Sequence, residues 1–191
     1  MKFFFILISI LLLTNFSYTN ELPSDPTSLS GEVVISSTDT SMTVVQNSNK
    51  AIIEWNSFNI GENNTVTFQQ PSTSASALNR VISGNPTTLA GALNANGKVF
   101  VVNENGVYFT PTATINAHSF AASTLALSND DFLNNKFLFK ADNVNNIFSS
   151  IIHKGSITTL DGGFTALLGG AINNEGTINA NLGKIGIGAG K

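Results

Sequence analysis

The stretch GSITTLDGGFTALLGGAINNEGTINANLGKIGIGAGK, residues 155–191, repeats itself. Gly155-Ser-Ile-Thr returns 21 positions later as Gly176-Thr-Ile-Asn. The same offset relates Gly162 to Gly183, Phe164 to Ile185, Ala166 to Ile187 and Gly169 to Gly190. A further copy stands upstream, where Thr114-Ile-Asn-Ala precedes Thr177-Ile-Asn-Ala by 63 positions, three such periods. A short fixed period marks a stacked repeat, in which each unit buries its apolar face only against its neighbours. One or two short strands per period, with Gly and Asn at the corners, fit a single-stranded β-solenoid whose turns stack about 4.8 Å apart. Ile157 over Ile178, and Phe164 over Ile185, are then expected to point inward as apolar stacks. A leucine-rich repeat would need Leu-x-x-Leu-x-Leu and a helical back, which this stretch does not have. A β-sandwich predicts no such offset.

Upstream, the same punctuation continues. The runs EVVIS (32–36), MTVVQ (42–46), AIIEW (51–55), TVTFQ (65–69), KVFVV (98–102) and VYFT (107–110) are strand-length, β-branched or aromatic, and bounded by Asn, Gly or Pro. Residues 119–140 (SFAASTLALSNDDFLNNKFLFK) break the pattern. A short helical turn is expected around residues 130–133, capped by Ser128 or Asn129, as an excursion from the main body.

Composition agrees. Charged residues make up 11% of the 191 positions, against roughly 25% in an average soluble protein. The polar surface is therefore built from Asn, Ser, Thr and Gly, residues of turns and outer strand faces. The net charge of −3 and the scattered cations leave no basic stripe for nucleic acid and no polybasic cluster for a membrane surface.

Lys2 precedes the apolar run FFFILISILLL (3–13), the pattern of a secretory signal peptide over residues 1–20. It is too short to span a bilayer, which takes about 20 residues. The mature chain is expected to begin between Tyr18 and Glu21. An exported protein can carry disulfides, yet this one has no cysteine. Core and backbone ladders must hold it, and an uncross-linked chain can thread a pore while unfolded.

Catalysis finds little support. His118 and His153 are isolated and have no cysteine partner, so neither metal ligation nor a Cys/His pair is indicated. Asp130-Asp131 fits a solvated helix cap. Ser123 and Ser128 lack a G-x-S-x-G setting, and Asn96-Gly97 and Gly162-Gly163 are turn signals. The expectation is no enzyme, no metal and no cofactor. Trp55 and Phe58 are expected in core or cap packing.

The run ANGKVFVVNENGVYF (95–109) resembles the strand–NPNG–strand motif of the secretion domain in filamentous haemagglutinins and high-molecular-weight adhesins. Further stretches match in the same order: NKAIIEW (49–55) with FNIG (58–61), ALNRV (77–81), LAGAL (89–93), FAASTL (120–125), and DGGFTALLG (161–169) with INNEGTI (172–178). The resemblance runs from about Gly31 to Lys191. It implies a right-handed parallel β-helix with an N-terminal cap and small extra-helical β elements, occupying residues 21–191. It also implies the function of a two-partner secretion (TPS) domain. A cognate outer-membrane transporter, with POTRA domains and a β-barrel, would recognise the domain in the periplasm. The folded domain would nucleate the β-helix that follows, and the product would be secreted or held at the surface of a Gram-negative bacterium. A monomer that meets the membrane only in transit is expected. A free-standing β-helix adhesin and a polysaccharide-degrading β-helix enzyme are the alternatives.

Asn103, Glu104, Asn105 and Gly106 form the NPNG-like turn, with Glu104 where the family has Pro, a change expected to loosen the turn. The family's NPNL signature is matched in two letters by Asn85 and Pro86. Asn79 and Arg80, with Asn85 and Pro86, are the expected cap or transporter-recognition residues.

Overall fold

The computed structural model describes residues 21–141 and 149–190. The signal-peptide expectation for residues 1–20 lies outside them. Nearly everything described is β-structure, wound into a parallel β-solenoid with three sheets as its sides.

Two antiparallel strands begin the chain: β1 (Thr27–Ser30), which pairs with the first turn's β4 (Lys50–Trp55), and β2 (Val33–Ser37), which pairs with its β3 (Ser41–Gln46). They form the expected N-terminal cap. After β3 and β4 come two full turns. The second comprises β5 (Thr65–Gln69), β6 (Ser76–Val81) and β7 (Thr87–Leu89); the third comprises β8 (Ala92–Ala95), β9 (Lys98–Val102) and β10 (Val107–Phe109). The fourth runs through β11 (Thr114–Ala117) and β12 (Ser119–Ser123), then leaves the solenoid. The excursion holds the antiparallel pair β13 (Ala126–Leu127) and β14 (Phe139–Lys140) around helix α1 (Asn129–Leu133), and the fourth turn closes at β15 (Ser150–His153). The fifth is β16 (Ser156–Thr159), β17 (Phe164–Gly169) and β18 (Ala171–Asn174). The sixth is β19 (Thr177–Ala180) and β20 (Lys184–Ala189).

Period-2 alternation decides what faces inward. One column runs through all six turns: Met42, Val66, Leu93, Ile115, Ile157 and Ile178. A second stacks Ile53, Asn79, Val101, Ala122, Leu167 and Ile187. The corners are tight. A Cβ on Gly155 would sit 2.5 Å from the Ala113 carbonyl oxygen, and one on Gly176 2.6 Å from the His153 ring, so both corners require glycine. The N-terminal end is plugged by aromatics: Trp55 meets Phe58 edge-on at 5.3 Å, and Phe58 lies 6.5 Å from Phe68. Core and cap packing, as expected for Trp55 and Phe58, is what they do.

Three expectations are corrected. The 21-residue offset holds for β16 and β19, with Ile157 over Ile178, but not for the next strand. Phe164 pairs with Lys184, Thr165 with Ile185, Ala166 with Gly186 and Gly169 with Ala189. The corner Leu160-Asp161-Gly162-Gly163 is one residue longer than Asn181-Leu182-Gly183, so Gly163 rather than Gly162 matches Gly183. A one-residue slip flips every side chain to the other face. Phe164 therefore points outward, 6.1 Å from Phe100.

The 63-residue offset spans two turns, not three. Thr114 pairs with Ser156, 42 positions on, because the excursion lies between them. The excursion itself begins after Ser123, since Ser119–Ser123 is the buried strand β12. Ser128 caps α1: its hydroxyl accepts from the Asp131 amide at 3.1 Å and donates to the Asp131 carboxylate at 2.9 Å.

Candidate functional site: the stacked asparagine turns

The turn 103–106 joins β9 to β10 on the third turn of the solenoid, and Asn85-Pro86 leads into β7 directly beneath it on the second. The two motif regions are therefore one structure. Asn103 is fully buried, and its side chain serves three partners. Nδ2 donates to the Asn85 carbonyl and to Thr87 Oγ1, each at 2.9 Å. Oδ1 accepts from the Asn105 amide at 2.9 Å. The Asn103 amide reaches up to the Ser123 carbonyl at 2.9 Å. One residue thus ties the second, third and fourth turns together.

The turn closes through the Gly106 amide, which donates to the Asn103 carbonyl at 3.1 Å, and Gly106 has φ 126°, a value reserved for glycine. With Glu104 in the place of proline the turn is still formed, because the Asn103 side chain holds it from within as an Asx turn does. Asn105 is exposed, and its Nδ2 donates to the Ser83 carbonyl at 2.8 Å. Outside the turn, two hollows meet at Pro86. One of about 200 Å³ is lined by Asn105, Gly106, Tyr108 and Ile152. The other, about 240 Å³, is lined by Glu21, Asn59, Ser83 and Asn85.

The structure separates Asn79 and Arg80 from that turn and from each other. Asn79 faces the core, accepting from Trp55 Nε1 at 3.0 Å and donating to the Phe100 carbonyl at 3.2 Å. Arg80 faces outward beneath the excursion. It pairs with Glu54 at 3.2 Å and donates to the Leu127 carbonyl and Asn129 Oδ1, each at 2.8 Å. Sequence reasoning missed Lys50, whose Nζ donates to the Phe132 and Leu133 carbonyls at 3.0 and 2.6 Å. It supplies the cation that the last turn of α1 lacks. Burial pushes the Lys50 amine below its ordinary range, and Lys98 adds to this. Thr87 and Ser83, partners of Asn103 and Asn105, carried no signal until the stacking register was known.

Nothing in this arrangement gathers reactive groups. Among the described residues no cluster of three or more His, Asp or Glu could hold a metal ion. His118 lies at the corner between β11 and β12, whereas His153 lies on β15, in another sheet.

The comparisons with known proteins agree with this architecture. The chain is 35% identical over 189 residues to a heme/hemopexin-binding protein of Haemophilus influenzae strain Rd, covering 93% of this chain and 21% of that protein. A second heme/hemopexin-binding protein of Haemophilus influenzae is 39% identical over 138 residues, covering 69% of this chain and 15% of that one. The chain spans about a fifth or less of the curated relatives it matches. The crystal structure of the HMW1 secretion domain from Haemophilus influenzae superposes with a TM-score of 0.83 at 33% identity, over 88% of this chain and 45% of that one. Residues 21–191 match the family of TPS secretion domains, which is not a family of enzymes. The chain belongs to that family, and its solenoid is a two-partner secretion targeting domain.

Proposed function

We propose that a cognate outer-membrane transporter recognises this domain in the periplasm through its POTRA domains, after residues 1–20 have acted as a signal peptide. The chain would then pass outward through the transporter barrel to the cell surface or medium. Asn103 and Gly106 serve by holding the second and third turns in register. Asn105, Pro86 and the hollows on either side of Pro86 are the surface offered to the transporter. Asn79 and Arg80 keep structural duties, in the core and under the excursion. The observation that supports this reading is the stacking of the two motif regions into one turn pair with a buried, fully engaged inner half and an exposed outer half.

A second duty of the same domain is nucleation of the β-helix that follows, for which the parallel, in-register ladders of the solenoid supply the stacking geometry.

Co-expression with candidate transporters, followed by assay of the medium, tests the reading. Release is expected only with the cognate transporter, and transporter-independent release would sink it. Asn105→Ala is expected to reduce export. Normal export of that variant, at unaltered stability, would remove the turn from the account.

A further inference from the structure

His153 is the one histidine inside the solenoid. It is completely buried, and it stands in an inward column with Leu89 and Phe109 before it and Asn174 after it. Nδ1 lies 2.7 Å from Asn174 Oδ1 on the fifth turn. With Oδ1 as acceptor, Nδ1 carries the proton and Nε2 is a bare lone pair. Nε2 is buried without a hydrogen-bond partner. The ring stands perpendicular to Phe109 at 5.1 Å, and Gly176 packs against its edge. The His153 carbonyl also accepts from the amides of Glu175 and Gly176, at 2.8 and 2.9 Å. This residue thus joins the third, fourth and fifth turns.

We propose that His153 is an acid-sensitive latch between the fourth and fifth turns: its neutral ring joins them at neutral pH, and its protonation releases the fifth and sixth turns from the rest of the solenoid. A second proton would place a charged N–H in an apolar interior with no acceptor, and a buried unpaired charge is among the most costly groups in a fold. Among the described residues the surroundings offer no compensating anion. On β10 the titratable side chain is Tyr108, which lies on the outer face. β16, β17, β18 and β19 carry none. Lys154 follows His153 and Glu175 follows its partner Asn174, but the two pair with each other at 3.4 Å, with both side chains open to solvent. Within the released part, Ile157 and Leu167 of the fifth turn are fully buried, while Ile185 and Ile187 of the sixth are half exposed.

Burial pushes the His153 imidazole below the ordinary histidine range, and the Asn174 bond offsets this only in part. The released state therefore takes up the proton first, at the ordinary value of about 6.5. Stability is full above that pH. It falls as pH drops below about 6.5, by up to about tenfold in the folding constant per pH unit, until the folded ring itself titrates.

The test compares denaturant unfolding and amide exchange of the purified protein at pH 7.5 and 5.5 with those of His153→Gln, which keeps an amide near Asn174 but cannot titrate. In the wild type, protection of the amides in β16 to β20 should fall about tenfold more between the two pH values than in the variant. An equal pH response in the two proteins would overturn the proposal. If the variant does not fold, ring nitrogen shifts of His153 in the wild type decide. A ring that stays neutral at pH 5.5 while the last two turns lose protection supports the latch. A ring that charges at its ordinary value with protection unchanged refutes it.

Discussion

Turns one to four and turns five to six have the same strands and corners but different ends. The first four are closed: β1 and β2 cap them, Trp55 and Phe58 plug them, and the excursion covers the outer face of one sheet. Leu127 and Phe132 of the excursion form a second buried cluster with Ile52, Leu78, Phe100, Val102 and Ala121 beneath them. Of the last two, the fifth still buries its inward Ile157 and Leu167 completely, whereas the sixth has outward glycines at Gly186 and Gly188 and inward Ile185 and Ile187 half in solvent. In a solenoid each turn rests only on its neighbours, so stability is close to a sum of local terms. The difference places the best-buried inward side chains in the first five turns and the least buried in the sixth.

Substitutions in the two regions should expose that contrast. Phe120→Ala removes a fully buried ring that lies 6.0 Å from Phe109, and should cost about 3–5 kcal/mol in denaturant unfolding. Asn103→Ala strands the Asn85 carbonyl, Thr87 Oγ1 and the Asn105 amide, and should cost about 2–3 kcal/mol, with export lowered in step. Arg80→Ala should free the excursion rather than unfold the solenoid. Protease cleavage would rise within residues 126–140 while the solenoid stays resistant; loss of the whole fold would break the division between body and excursion. Ile187→Ala, on the open turn, should cost less than about 1.5 kcal/mol because half its surface is already wet. A cost equal to that of Phe120→Ala would erase the contrast.

Strand positions were legible in the sequence because β-branched and aromatic runs between Asn, Gly and Pro have few other ways to fold. TVTFQ became β5 and KVFVV became β9 without change. The vertical register was half legible. Ile157 over Ile178 followed from the offset, whereas His153, read as isolated, proved to stand beside Asn174. Phe164 was misplaced because one extra corner residue slips the next strand, and periodicity cannot see a corner's length. The excursion disguised one turn as two for the same reason. At the turn, the Asn-Gly signal placed Gly106 correctly, whereas Asn103's partners Asn85 and Thr87 lie 18 and 16 residues away and depend on stacking alone.

Residue-resolved amide exchange of the purified protein at neutral pH tests the two-part solenoid most directly. Inward-column strands β4, β6, β9 and β12 should open only with global unfolding, whereas β19 and β20 should exchange through a smaller opening of the last turns that leaves the rest protected. Uniform protection from β4 to β20, lost in a single event, would contradict a closed body whose last turn opens separately.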